Sequence, residues 1–585
     1  MRKFSWFITA LALTVPLVNP IAQAADNPPR KILTGWIPYY SMKTALPDAL
    51  NNSDLIKEVM PFWYTLKFDA KAKAAAVSDL YAPANPSVPI TEPLTALHNA
   101  GYSIIPTITD GTDKLVLAGL LKSPTSRAQI ITSILALVTT NNYDGIDLDF
   151  EGFAFVDGNT TWASTAPSWI AFVKELSTAL HAQNKLLSIS TPYVLNPNDA
   201  QKGYYVYAWG AIASAIDKLR IMTYDYSVAS AGPLGPITWA ERTVQYAVSI
   251  MPASKVFVGV PGYGRDWVTA VSGICPANVA NTVKVGAKAA TFVMRDAASL
   301  AATYGATPVY NEQFAEMTFS YQKVYSGVTS AGLSTSCTAS RTAWYQDAKS
   351  WAVRAALVTK YRIGGITAWT FGMEEPLAME SIRQVAKDIA PDQVTASATI
   401  DKSEVDYGNP IVISGSLTIK DKSPVANVAV KIEGRSGTDL NYRLLATVTT
   451  GADGSFQRPL IIGKTTAIRI RSEGTWERSE GLSTDIPVTI NRLLTINAPG
   501  TVKAGEAITI SGVVRPRISG NYIQLESFVA GNWKPLAQPV TTDAQGAFTF
   551  SIPTATRTIL TLRLTVAADA LWTVVTSPSF NIIIR

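Results

Sequence analysis

Between Tyr143 and Gly152 the chain reads Tyr-Asp-Gly-Ile-Asp-Leu-Asp-Phe-Glu-Gly, so the carboxylates of Asp147, Asp149 and Glu151 recur at every second position. In a strand this spacing sends all three to one face and Ile146, Leu148 and Phe150 to the other. Asp144 lies off that parity and carries less weight. Three carboxylates stacked in a partly desolvated interior cannot all ionise comfortably at neutral pH, so at least one is expected to hold a proton. A protonated carboxyl at the edge of such a stack is a general acid, able to hand its proton to a leaving oxygen. Glu151, last in the run, is the expected donor. On the residues alone, a solvent-facing acidic strand and a divalent-cation site remain open as other readings.

The rest of the composition narrows the chemistry further. Two cysteines, Cys275 and Cys337, and two histidines, His98 and His181, are the full complement in 585 residues. That scarcity nearly excludes a Cys/His zinc site and leaves a Ser-His-Asp triad only two histidines in unremarkable contexts. Carboxylates and tyrosines must then do the work, with no metal and no cofactor expected. The formal charge of +6 is too dilute over this length for nucleic-acid binding, and no basic run stands out.

Carboxylates can point inward together only if their strand lies in a sheet closed around them. From residue 31 to about 391, short β-branched and aromatic runs alternate with helical patterns, which implies parallel strands joined by crossover helices. Eight strands are predicted: Lys31–Ile37, Glu58–Thr65, Tyr102–Ile108, Tyr143–Glu151, Lys185–Thr191, Lys218–Tyr224, Lys255–Pro261 and Gly364–Thr370. Eight such units predict an α/β fold, a (β/α)₈ TIM barrel, whose chemistry sits at the C-terminal ends of its strands. Before the eighth strand the connection is too long for a simple crossover. Residues 268–343 therefore read as an inserted subdomain, stapled by a disulfide between Cys275 and Cys337.

Beyond Pro391 the helical pattern stops and short alternating strands run to the end. Gly408-Asn-Pro-Ile-Val-Ile-Ser-Gly415 recurs as Gly505-Glu-Ala-Ile-Thr-Ile-Ser-Gly512, and Thr449–Phe456 recurs as Thr541–Phe548. Two immunoglobulin-like β-sandwiches, 394–490 and 492–585, are predicted, each with its own core and with Trp476, Trp533 and Trp572 scattered over them. At the other end, Arg2 and Lys3, an apolar stretch and Ala22-Gln-Ala24 read as a signal peptide over residues 1–24. A secreted or wall-associated monomer with no membrane span is expected, carrying a net charge of +4 once those two basic residues are removed.

The segment Asp144-Gly-Ile-Asp-Leu-Asp-Phe-Glu151 resembles in full the D-G-x-D-x-D-x-E signature of glycoside hydrolase family 18, the chitinase-like family. Met222-Thr-Tyr224-Asp225 resembles its sixth-strand motif, Gly259-Val-Pro-Gly-Tyr263-Gly-Arg265 its seventh, and Gly364-Gly-Ile-Thr-Ala-Trp369 its eighth. The third strand departs, reading Pro106-Thr-Ile-Thr-Asp-Gly111 where many chitinases carry S-x-G-G. Together with Gly35–Tyr40, Pro61–Tyr64 and Ala343–Asp347, it is more similar to the branch holding spore and wall peptidoglycan N-acetylglucosaminidases.

That resemblance implies a retaining glycosidase whose substrate supplies its own nucleophile, an exception to the two-carboxylate scheme. Glu151 is then the acid and base, Asp149 orients the acetamide, and Asp147 tunes Asp149. Tyr224 donates to the acetamide oxygen, Asp225 sits near the sugar or helps hold the acid, and Trp369 floors the subsite, with Met222, Tyr263 and Arg265 around it. Of the aromatics near the ends of strands one and two, Tyr39 and Trp63 are the ones expected to stack on sugar. The partner implied is a polysaccharide, chitin or peptidoglycan. An inactive lectin on the same barrel is the rival reading, against which the retained Glu151 speaks.

Overall fold

The computed structural model describes residues 27–585, so the segment read as a signal peptide lies outside the described residues. The chain divides at Ala390/Pro391 into two compact units.

The first unit is the (β/α)₈ barrel. Its strands are Leu33–Pro38, Ile56–Phe62 continued by Tyr64–Asp69, Ser103–Ile104 continued by Thr107–Asp110, Gly145–Asp149, Leu186–Pro192, Lys218–Met222, Val256–Pro261 and Gly365–Trp369. Each pairs in parallel with the next, and Leu33 of the first lies opposite Ile366 of the eighth, which closes the sheet. The breaks in strands two and three fall at Trp63 and at Ile105-Pro106; a proline has no N–H to give a ladder.

Helices cover the outside because the outward strand residues are apolar. Phe150 meets Phe172 at 6.2 Å and Trp169 at 6.3 Å on helix Trp162–His181. Helix Pro124–Thr140 starts where Ser123 accepts from the Ser126 N–H and a proline fills the first turn, where a missing donor costs nothing. Helix Ala348–Tyr361 starts the same way on Asp347. Among the described residues, no helix is long and apolar enough to cross a membrane.

Inside the barrel, below the acidic strand, lies a buried polar layer. Arg220 donates to Glu58 at 2.6 Å, to Thr34 at 2.9 Å and to Ser188 at 3.0 Å, while Lys218 pairs with Glu58 at 2.8 Å. Those two cations hold the Glu58 carboxyl down at about 2 against the burial that pushes it up.

A five-stranded antiparallel sheet interrupts the barrel between strands seven and eight. It begins at Tyr263 and returns at Tyr345, a few residues wider than the sequence suggests, because its first strand, Tyr263–Gly273, leaves the barrel after a single residue. Cys275 and Cys337 are disulfide-bonded within it. Buried Glu316 ties the sheet to the barrel, accepting from the Leu234 and Gly235 N–H groups, Gln346 and Arg354.

The second unit holds two β-sandwiches. In each, the repeated sequence forms the middle strand of a three-stranded sheet, Pro410–Thr418 in the first and Ile508–Arg515 in the second. The expectation of two self-contained cores needs correction. Trp572, from the second repeat, is buried in the core of the first and donates to the Gly463 carbonyl at 2.9 Å.

Candidate active site

Strand four sits between strands three and five, with Asp147 opposite Thr107 on one side and Ser188 on the other. Both neighbours present hydroxyls to the same interior layer. Thr107 donates to Asp147 at 2.9 Å, Ser188 at 2.6 Å, and Ser190 to both oxygens at 3.0 and 2.9 Å. The Arg220 Nε lies 3.9 Å from the same carboxylate. Asp147 is thus fully buried and fully partnered. Asp144, off parity, accepts from the Ile104 N–H at 2.8 Å and serves the backbone.

One residue pair further along, the polar partners run out. Asp149 is buried and its Oδ1 has no hydrogen-bond partner among the described residues. Burial, then the charges of Glu151 and Asp147, hold its carboxyl well above the usual range. Glu151 follows the strand and turns at once into a π-helical turn, its carbonyl accepting from the Ala154 and Phe155 N–H groups at 3.0 and 2.9 Å. Burial, and secondarily Asp225, raise the Glu151 carboxyl to about 7.

Across the cleft, Asp225 holds a left-handed backbone at φ 58°, a conformation costly for most side chains. Its Oδ1 accepts from Tyr263 at 2.6 Å and from the Arg265 Nε at 2.7 Å, which fixes the carboxylate on the insert's first strand. Burial pushes the Tyr224 phenol well above 10, so it is a hydroxyl donor at any physiological pH. Its ring crosses that of Tyr263 at 6.1 Å. Trp369, at the end of strand eight, meets Phe62 edge-on at 4.9 Å and Trp36 at 5.5 Å.

These groups enclose a cavity of about 400 Å³ lined by Asp149, Glu151, Met222, Tyr224, Asp225, Tyr263, Arg265 and Trp369. Asp147 lies beneath it. The lining also includes Trp36 and Phe62, two of the aromatics near the ends of strands one and two over which sequence reading preferred Tyr39 and Trp63, and Thr291 and Met373, which it did not name. Two expectations are corrected. Trp63 is fully buried, packed on Tyr81 at 4.6 Å, and cannot meet a ligand. Tyr39 is half-buried beside Tyr40 and takes no part in the lining. Parity explains the first: Glu58, Met60 and Phe62 alternate inward, so Trp63 faces out, and Trp36 shares the inward face of Thr34.

The sequence model named Glycosyl hydrolases family 18 matches residues 76–374. The chain is 26% identical over 262 residues to the cortical fragment-lytic enzyme of Bacillus anthracis, covering 44% of this chain and 53% of that one. It is 25% identical over 173 residues to the class V chitinase of Arabidopsis thaliana, covering 26% and 43%. The chain spans about half the length of the curated relatives it matches. Among solved structures, a chitinase from Chromobacterium violaceum ATCC 12472 aligns with a TM-score of 0.47 at 22% identity, over 61% of this chain and 98% of that one. The matched stretch takes in just over half of the 585 residues and the strands that carry the carboxylates, and on that ground the chain belongs to glycosyl hydrolase family 18.

Proposed function

We propose that the protein hydrolyses β-1,4 bonds beside N-acetylglucosamine in chitin-type or peptidoglycan-type glycans, with the substrate's own acetamide as nucleophile. The observation that carries this reading is the unpartnered, buried Oδ1 of Asp149 beside a glutamic acid raised to about 7. A buried acceptor without a donor is costly, and a substrate N–H entering the cavity relieves it.

Glu151 gives its proton to the bridging oxygen as the bond from that oxygen to C1 breaks. The acetamide oxygen attacks C1 and closes an oxazolinium ring, while Asp149 takes the acetamide N–H and Tyr224 donates to the acetamide oxygen. Glu151, now a carboxylate, removes a proton from the water that reopens the ring, and two inversions return the β configuration. Trp369 offers its face to the sugar. The relatives' names, one a chitinase and one a cortical fragment-lytic enzyme, support both glycan types. Export is part of the proposal, resting on segment 1–24 and favoured by a disulfide, which persists in oxidising compartments.

The test is digestion of chitin oligosaccharides and purified peptidoglycan, with fragments identified by mass and the first product's anomer read by proton NMR. β product, poor turnover of de-N-acetylated oligomers and impairment by Asp149→Asn are expected. An inverted product, or equal rates with and without the acetyl group, overturns the mechanism.

A further inference from the structure

Glu151 stands between the end of strand four at Asp149 and the π-helical turn Gly152–Val156, so the direction of its side chain is set by the two peptide planes that flank its Cα. The plane after Glu151 is fixed inside the turn, where the Glu151 carbonyl accepts from Ala154 and Phe155. The plane before it is fixed from outside, because the Tyr207 phenol donates to the Phe150 carbonyl at 2.9 Å. Tyr207 is fully buried, with its ring 5.3 Å from that of Phe153 and 6.1 Å from that of Trp169. Burial lifts its phenol well above 10, so the proton it donates is always present.

A second side chain presses on the residue after the acid. Asp110 ends strand three, in the segment that departs from the family signature. There Thr107 and Thr109 stand opposite Asp147 and Asp149, so by alternation Asp110 points away from the carboxylate stack. Thr112 holds one of its oxygens, through the N–H at 3.0 Å and the hydroxyl at 2.7 Å. The other oxygen lies against the Gly152 Cα: a Cβ built there falls 2.2 Å from it and 3.1 Å from Cγ. Gly152 has a helical backbone that other residues adopt, so it is this carboxylate, not conformation, that calls for glycine. The turn and the loop after strand three are tied once more where Asp157 accepts from the Leu115 N–H at 2.6 Å.

We propose that Asp110 and Tyr207 are positioning residues for the general acid: they hold the backbone on the two sides of Glu151 and so set where its carboxyl meets the bridging oxygen. This deepens the function proposed above and rests on it. Neither residue lines the catalytic cavity, and each acts through Glu151. Trp369 and Tyr224, which meet the sugar, are placed by strands eight and six, so the loss of either positioning contact falls on turnover and spares binding.

The experiment measures kcat, KM and pH dependence of the full chain on a chito-oligosaccharide, with the thermal midpoint of each variant. Tyr207→Phe and Asp110→Ala are each expected to lower kcat about tenfold while KM stays within about twofold. Asp110→Asn keeps the shape and an acceptor for Thr112, and its kcat should stay within about twofold of wild type. Gly152→Ala should lose about 100-fold, and adding Asp110→Ala to it should return kcat to about the level of Asp110→Ala alone. The alkaline limb near pH 7 should stay in place throughout, which identifies the residual turnover as that of Glu151. A kcat within about twofold of wild type in Tyr207→Phe or in Asp110→Ala overturns the role of that residue. A double-variant loss equal to the product of the two single losses overturns the contact with Gly152. A rise in KM that matches the fall in kcat, or a lowered midpoint that accounts for the lost activity, shows a merely structural role and also overturns the inference. If the wild-type chain cleaves no N-acetylglucosamine oligomer, the proposed function falls, and this inference with it.

Discussion

A carboxyl that enters a reaction as an acid works only below its own pKa, and burial has moved that of Glu151 up to about 7. Protonated below that value and ionised above it, Glu151 should impose an alkaline limb on kcat/KM, falling tenfold per pH unit above about 7. Glu151→Gln should lower turnover by about 10²–10⁴-fold and remove that limb while leaving the circular dichroism spectrum unchanged. A limb near pH 4.5 in the wild type contradicts the environment described for this carboxyl. At this scale the acidic strand was legible because strand parity is a two-valued rule: Asp147, Asp149 and Glu151 turn inward together. The same rule applied to strands one and two selects Trp36 and Phe62 over Tyr39 and Trp63. Thr291 and Met373 were not legible: Thr291 reaches the cleft from the short insert strand Ala290–Val293, which is placed by pairing with Arg265 across the sheet, and Met373 from the loop after strand eight, where no period governs direction.

The barrel's elements are held by polar groups as well as by its apolar shell. Arg220 on strand six is fully buried and bound to Glu58 on strand two, so removing the Glu58 charge leaves a desolvated guanidinium whose remaining carboxylate, that of Asp147, is 3.9 Å away. Glu58→Gln should cost about 3–5 kcal/mol at pH 7, read as a lower urea midpoint for the barrel transition. The pH dependence has a definite sign. Because the folded-state value of Glu58 is lowered from 4.5 to about 2, its contribution is complete above about pH 4.5 and is lost as pH falls to 2. The wild-type excess over Glu58→Gln should shrink across that window. The eight strands could be read from alternation of β-branched runs with helical periods. The breaks in strands two and three, and the insert's start at Tyr263, could not, because they depend on pairing across the sheet.

Over the whole chain, two kinds of boundary behave differently. A chain ending at Ala390 keeps every residue of the cleft, and its kcat/KM on soluble oligosaccharides should stay within about twofold of the full chain. Loss of activity there locates part of the site in the second unit. The sandwiches do not divide so cleanly. Trp572 fills the first repeat's core, the Leu571 carbonyl accepts from the Thr465 N–H at 2.8 Å, and the Arg492 guanidinium lies 5.2 Å from the Trp572 ring. Trp572→Ala should cost about 3–5 kcal/mol and split one calorimetric transition of residues 391–585 into two. Repetition in the sequence announced two sandwiches, but a repeat signal does not say where a side chain packs: Trp476 lies in the connection before Gly481–Leu482 as Trp572 lies in the one before Val575–Thr576, and of the two Trp572 is the one in the first repeat's core.

The left-handed backbone of Asp225 also limits how this cleft can change by mutation. Among residues one base change from an aspartate codon, glycine and asparagine take that conformation readily and histidine less so, whereas alanine, valine, glutamate and tyrosine are strained there. Glycine abandons Tyr263 and Arg265, which then face the cavity without their carboxylate. Asparagine alone keeps the backbone at ease and an oxygen in place for both donors, so it is the substitution through which a lineage could pass while testing a different charge beside Glu151.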